Sequence, residues 1–294
     1  MSVTNGTLPR RIALWFSVAA CALAAFWTAN GVAPWDGDRS NVWHQYEFLA
    51  DGFLHGHTYL SVDPSPQLLA LRDPYDPAAN APYRLWDASL YQGRYYLYYG
   101  PAPALVLMAP WEAITGHVLP QRLAVAAFAA FGMAGLGLLL GSVRARHFPG
   151  LSAFALAGIL IAVFHASWLP VTLRRPGIWE LPIVSSTACL WWALYFLWKL
   201  HDSAGRARWA VALGISLSVL MGCRITFLFA AASIAALSLV RARGAGRRGI
   251  PSLAGPALAF AGGVALLLYN HERDRKSTRL NSSHQCLSRM PSSA

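Results

Sequence analysis

Charged side chains are scarce in this chain. Only 13% of its 294 residues are Asp, Glu, Lys or Arg, and lysine is nearly missing, with two copies against 22 arginines. Soluble domains carry about 25% charged residues, so the deficit excludes an ordinary soluble fold. The formal charge is +11. No basic patch interleaved with aromatics sits on a soluble segment, which excludes a nucleic-acid partner. Cysteine is sparse as well: Cys21, Cys189 and Cys223 fall in or beside apolar runs, and their spacing is not that of a metal centre. The preference for Arg over Lys, with abundant Ala and Gly, points to a GC-rich bacterial genome and so to a plasma membrane. The basicity then belongs to loops facing anionic lipid.

What the chain has is apolar length: 55% of residues are hydrophobic and 12 are Trp. A hydrocarbon core is crossed by roughly 20 residues of helix. Runs of that order are Ile12–Asn30, Leu123–Val143, Leu151–Leu169, Leu181–Leu200 and Leu253–Tyr269. Trp209–Val240 is too long for one span and is expected to break near Gly222-Cys223-Arg224. Gly100–Glu112 carries Pro101, Pro103 and Pro110, and is expected to be a broken span, a re-entrant segment or an interfacial helix. The fold class is therefore all-α, a polytopic transmembrane helix bundle. Residues 1–30 form a cytoplasmic N-terminus and retained first span, 31–120 an external loop, and 121–273 a multispan region. The basic clusters around Arg144/Arg146, Lys199/Arg206/Arg208 and Arg241–Arg248 all fall inside only if Gly100–Glu112 does not cross and Trp209–Val240 is a hairpin.

The loop inverts the charge of the rest. Between Gly31 and Gly116 stand nine of the thirteen acidic residues against four arginines, a balance of −5. Within it, Ser40–Gly56 has helical periodicity, with Trp43, Tyr46, Ala50 and Phe53 on one stripe, and is expected to lie on the membrane surface. Its other face carries His44, Glu47, Asp51 and His55, a solvated face that could also hold a divalent metal. Five prolines make Ser61–Tyr83 extended and turn-rich. Aromatic runs on both sides of Gln92-Gly93 suggest a β-hairpin, whose Tyr91, Tyr95, Tyr96, Tyr98 and Tyr99 could stack on a sugar or a polyprenyl chain, or form an interfacial belt. Asp36-Gly37-Asp38 offers paired carboxylates for general-base work, or an ordinary turn.

Arg224 falls between two apolar helices, where an arginine costs roughly 2.5–3.5 kcal/mol at mid-membrane. It is expected at an outer turn, or paired with an acid or a phosphate. Arg174 and Arg175, with Glu180, occupy another tight turn and would face the same side as the acidic loop. Residues 274–294 read DRKSTRLNSSHQCLSRMPSSA. Reverse translation of Asp274–His284 and of Ser288–Ala294 reproduces the two ends of a short-read sequencing adapter in one frame. This stretch, with Cys286, is expected to be non-native.

The order of elements resembles the polyprenyl-phosphate-sugar glycosyltransferases of the GT-C superfamily, nearest the protein mannosyltransferase and aminoarabinose transferase branch. The string from Tyr46 through Ala50, Asp51 and Gly56, the segment PYRLWDASLYQGRYYLYYGPAPAL (Pro82–Leu105), Arg224 after Gly222, and Leu268-Tyr269-Asn270 carry the likeness. The resemblance implies a GT-C-like bundle, a lipid-phosphate sugar as donor and no resident cofactor. It assigns the base to Asp38 with Asp36 or Asp51, because Val42 stands where the branch has its acid. It gives Arg224, Arg174 and Arg175 the leaving phosphate. The competing expectation is a non-catalytic multispan protein, either a transporter or an envelope-polymer assembly factor, with His165 as the main polar residue within a span.

Overall fold

The computed structural model describes residue 15 and residues 18–24, 26–27, 44–202, 207–244 and 246–273, without the side chains of 246–248, 272 and 273. Asp36, Asp38 and the 274–294 tail lie outside the described residues. Of the first apolar run, 18–24 and 26–27 are helical.

The loop begins with α1 (Gln45–Leu54), whose inner face of Tyr46, Leu49 and Ala50 is fully enclosed. Of the expected apolar stripe, Tyr46 and Ala50 are covered by the chain's own residues, Phe53 is partly exposed and Trp43 lies outside the described residues. The helix packs on the strand Arg94–Leu97, on a five-residue π-helical turn (Ala104–Met108) and on the short α4 (Ala109–Thr115). Between α1 and the hairpin come two single-turn helices, α2 (Pro66–Leu69) and α3 (Pro77–Asn80). Each follows a cap-then-proline signal. Ser65 Oγ accepts the Leu68 N–H at 3.2 Å and Asp76 Oδ1 accepts the Ala78 N–H at 3.0 Å. Proline at the first helical position loses no bond the helix would have made. The hairpin is β1 (Ala88–Tyr91) and β2 (Arg94–Leu97), antiparallel with Tyr91 opposite Arg94. Gln92 (φ 49°) and Gly93 (φ 71°) form a turn with both central residues left-handed, the geometry that matches strand twist in a two-residue loop.

Six helices follow: α5 (Gln121–His147), α6 (Ala153–Ala166), α7 (Leu169–Arg174), α8 (Glu180–Asp202), α9 (Ala207–Cys223) and α10 (Leu228–Gly244). The last, α11 (Ala254–Arg273), is preceded by a 3-10 turn. Four helical segments are long and apolar enough to cross a membrane: Gln121–His147, Glu180–Asp202, Ile225–Gly244 and Gly249–His271. Their length and composition mark a membrane protein.

Three shorter apolar helices differ in consequence. Ala104–Thr115 spans only about 18 Å, short of the ~30 Å core, and Gly116 in the left-handed conformation ends it. Ala207–Cys223 stops before Arg224, as the sequence anticipates. The run Leu151–Leu169 is not one helix. It stops at Ala166, turns through Trp168 (φ 59°) and restarts with Pro170 in the new first turn, because a proline inside a continuous helix would remove a hydrogen bond and clash with the preceding turn.

Helix α8 is the common wall. One core joins the loop (Tyr46, Leu49, Leu60, Tyr95, Leu97) to α5 and to the first half of α8 through Leu181, Val184 and Ala188. A second joins Cys189, Ala193 and Leu200 of α8 to α9, α10 and α11. Helix ends sort into two groups. Arg146 pairs with Asp202, Arg241 donates to the carbonyls of Leu200 and His201, and Arg208 lies over Trp209, so these basic residues share one end. At the other, the Gln121 N–H donates to Glu47 and Tyr269 reaches the Thr58 carbonyl, which places the acidic loop there.

Candidate functional site

The loop meets the helix bundle around Tyr46. Its ring is wholly buried and its hydroxyl donates to the Gly100 carbonyl at 3.1 Å. Gly100 in turn lies flat against the end of α9, where a Cβ would collide with the carbonyl oxygens of Gly222 and Cys223. Only glycine allows that approach. Helix α11 closes the other side. The Tyr269 ring stands edge-on to Phe53 at 6.5 Å, and its hydroxyl lies 3.4 Å from the Thr58 carbonyl.

Directly after this contact, Arg224 takes an extended conformation (φ −155°, ψ 119°) between α9 and the 3-10 turn Ile225–Phe227. Arg224 is partly buried at this break, between the ends of two apolar helices. Its field is felt by Tyr46 and Tyr99. Burial holds the Tyr46 hydroxyl protonated well above the usual phenol range, with Cys223, Tyr269 and Tyr99 adding to that and Arg224 opposing it. Among the described residues no ion pair engages Arg224.

Tyr99 stands between a cation and an acid. Burial pushes its hydroxyl up to about 12; Asp87 adds to the rise and Arg224 works against it. Asp87 itself occupies the left-handed region (φ 55°), which L-residues other than Asn and Asp rarely adopt, and it is half-buried. Burial raises its carboxyl above the ordinary range, and a hydrogen bond from the Trp179 indole partly offsets this. Trp179 comes from the turn between α7 and α8, so that turn also reaches the loop.

The expected site residues separate. Arg174 and Arg175 are exposed in the turn that carries Trp179, and Arg175 faces Glu180. Glu180 accepts the Gly177 N–H at 3.2 Å, closing the turn. Asp51 lies about 140° round α1 from Tyr46 and is paired with His55 at 3.3 Å. Glu47 takes the His44 Nδ1 at 2.6 Å and the Gln121 N–H at 2.9 Å, so the polar face of α1 secures the start of α5. Among the described residues no group of three or more His, Cys, Asp or Glu side chains is placed to hold a metal.

Tyr95 and Tyr96 are buried in the loop's own core, and the Tyr95 hydroxyl accepts the Leu85 N–H at 3.1 Å. The open ring of the hairpin's end is Tyr98, 48% exposed. His165 sits in the last turn of α6, not mid-helix, with Nδ1 2.9 Å from the Ile161 carbonyl.

Asp87 and Trp179 were not singled out by spacing. The only signal in the sequence is an acid between Trp86 and Ala88, within an otherwise aromatic and apolar segment. No protein family, curated protein or solved structure matches the chain.

Proposed function

We propose that the protein is a multi-pass GT-C-like membrane protein of a bacterial plasma membrane. In this reading it transfers a sugar from a polyprenyl-phosphate donor to an envelope acceptor at its loop face. The observation that carries the reading is Arg224. A guanidinium at a break between two apolar helices, with no acid paired to it among the described residues, is a site for an anionic ligand. A phosphate on a membrane-borne chain brings that charge to that depth.

The charge distribution supports an outward loop. Basic residues at the opposite end of the helices favour the cytoplasm, and a Gly100–Glu112 segment too short to cross preserves that parity. A transporter places its polar groups near mid-membrane at helix breaks, whereas here most acidic side chains belong to the loop. Chemically, the acceptor oxygen attacks the anomeric carbon as the bond to phosphate breaks. Arg224 stabilises the charge developing on the leaving phosphate, aided by the exposed Arg174 or Arg175. A single displacement inverts the anomeric centre.

The test is sugar transfer by the purified protein in vesicles supplied with polyprenyl-phosphate-linked labelled sugars and a hydroxyl acceptor. Product with inverted anomeric configuration is the expected outcome. Absence of transfer across the donor set would replace this reading with that of a non-catalytic assembly factor.

A further inference from the structure

Three arginines at the basic end are committed to the chain itself. Arg144 Nε donates to the Leu151 carbonyl at 2.8 Å, Arg241 donates to the carbonyls of Leu200 and His201, and Arg208 lies 4.7 Å from the Trp209 ring centre. Arg146 and Lys199 are placed differently. With Ser142 and Ala145 of α5, and Trp198 and Asp202 of α8, they line a cavity of about 440 Å³ that opens at the surface. Small-ligand sites commonly occupy about 300–1,000 Å³.

Ser142, Ala145 and Arg146 share one face of α5, and Trp198 and Asp202 stand one turn apart on α8. Both helices are long and apolar enough to cross a membrane, and both end at this cavity. Ser142 lies about 6 Å farther along the span than Arg146, at 1.5 Å per residue. Trp198 lies as far inside Asp202, and the His147 ring stands edge-on to it at 5.6 Å. The cavity is thus a seam between two spans, charged at its mouth and walled by an indole deeper in. Lys199 is half-buried, with Nζ 5.8 Å from the Trp209 ring centre, so its stem runs along apolar surface.

We propose that this seam binds the headgroup of an anionic glycerophospholipid, with Lys199 and Arg146 on its phosphodiester and Asp202 on its hydroxyls. The lining carries two cations and one carboxylate, an excess of one positive charge that a phosphodiester monoanion matches. A zwitterionic headgroup brings no net charge to offset it. Arg146 is already paired with Asp202, and its five donors let it hold that carboxylate and a phosphate oxygen together. Asp202 keeps further acceptor sites for the hydroxyls of a glycerol headgroup. Basic pockets between spans on the cytoplasmic side hold acidic headgroups, and the proposed orientation turns this end to the cytoplasm. The site stands independently of sugar transfer, which its test does not use.

The test titrates the purified full chain in neutral detergent with phosphatidylglycerol and counts bound lipid by native mass spectrometry. Lys199→Gln weakens binding by about fivefold, the effect of one basic side chain at an anionic lipid surface, and adding Arg146→Gln weakens it further. Lys199→Arg keeps it. Arg243→Gln removes an exposed cation of α10 that does not line the seam, and leaves binding within about twofold of wild type. Phosphatidylcholine binds more weakly than phosphatidylglycerol. Equal losses in Lys199→Gln and Arg243→Gln would mean diffuse surface attraction and overturn the site. Equal affinity for phosphatidylcholine overturns it too. Competition by soluble glycerol phosphate at the concentration of the lipid would make the ligand a free phosphate and overturn the lipid assignment. If Lys199→Gln fails to fold, Arg146→Gln takes its place in the comparison with Arg243→Gln.

Discussion

At the residue scale, the junction depends on a few polar atoms made to serve in an apolar setting. Tyr46 is the clearest, since a fully buried phenol has one donor and uses it on the Gly100 carbonyl. Tyr46→Phe leaves that carbonyl unsatisfied and should cost about 1–3 kcal/mol, seen as a lower melting temperature in detergent. An unchanged melting temperature would mean that water or another donor replaces the hydroxyl. Asp87 has the opposite sign. Its carboxyl is raised in the folded state, so the fold holds the proton more tightly than the unfolded chain does. Its contribution is fully present below the unfolded value and is lost as pH rises through the raised value.

At the element scale, the fold was legible wherever a local signal decides the backbone. Gln92-Gly93 between aromatic runs announces the hairpin, and the structure places the turn there. The Gly222-Cys223-Arg224 break likewise appears where a cation interrupts an apolar run. Ser65-Pro66 and Asp76-Pro77 carried helix-start signals that proline content alone obscured. What sequence could not show is which surface covers an apolar stripe. The face of α1 has the periodicity of a membrane-surface helix, and the same periodicity serves when the cover is β2 and α4. Asp87 and Trp179 are separated by more than ninety positions, so no spacing argument joins them. The seat between loop and α9 is equally non-local. Gly100→Ala forces a methyl group against two backbone carbonyls that have no rotamer to escape into. It should destabilise the loop–bundle contact by about 2–3 kcal/mol. Limited proteolysis would report this as faster cleavage within residues 60–85. Wild-type resistance would show that the strand can shift without cost.

At the scale of the whole molecule, the helix ends define two unlike poles. One holds arginines bound to helix-terminal carbonyls and to Asp202, the other an acidic loop locked by shared core to α5 and α8. The loop is thus continuous with the helices that anchor it, and the Arg224 break lies where the two meet. In the proposed function, that arginine serves as an anion site at the loop face. The most direct measurement is the affinity of polyprenyl phosphate for the purified protein and for Arg224→Gln, compared in the same detergent. A charge-assisted contact to phosphate is worth about 1.5–3 kcal/mol, so the account predicts binding weakened by about 10- to 100-fold. Equal affinity in the two proteins would contradict it.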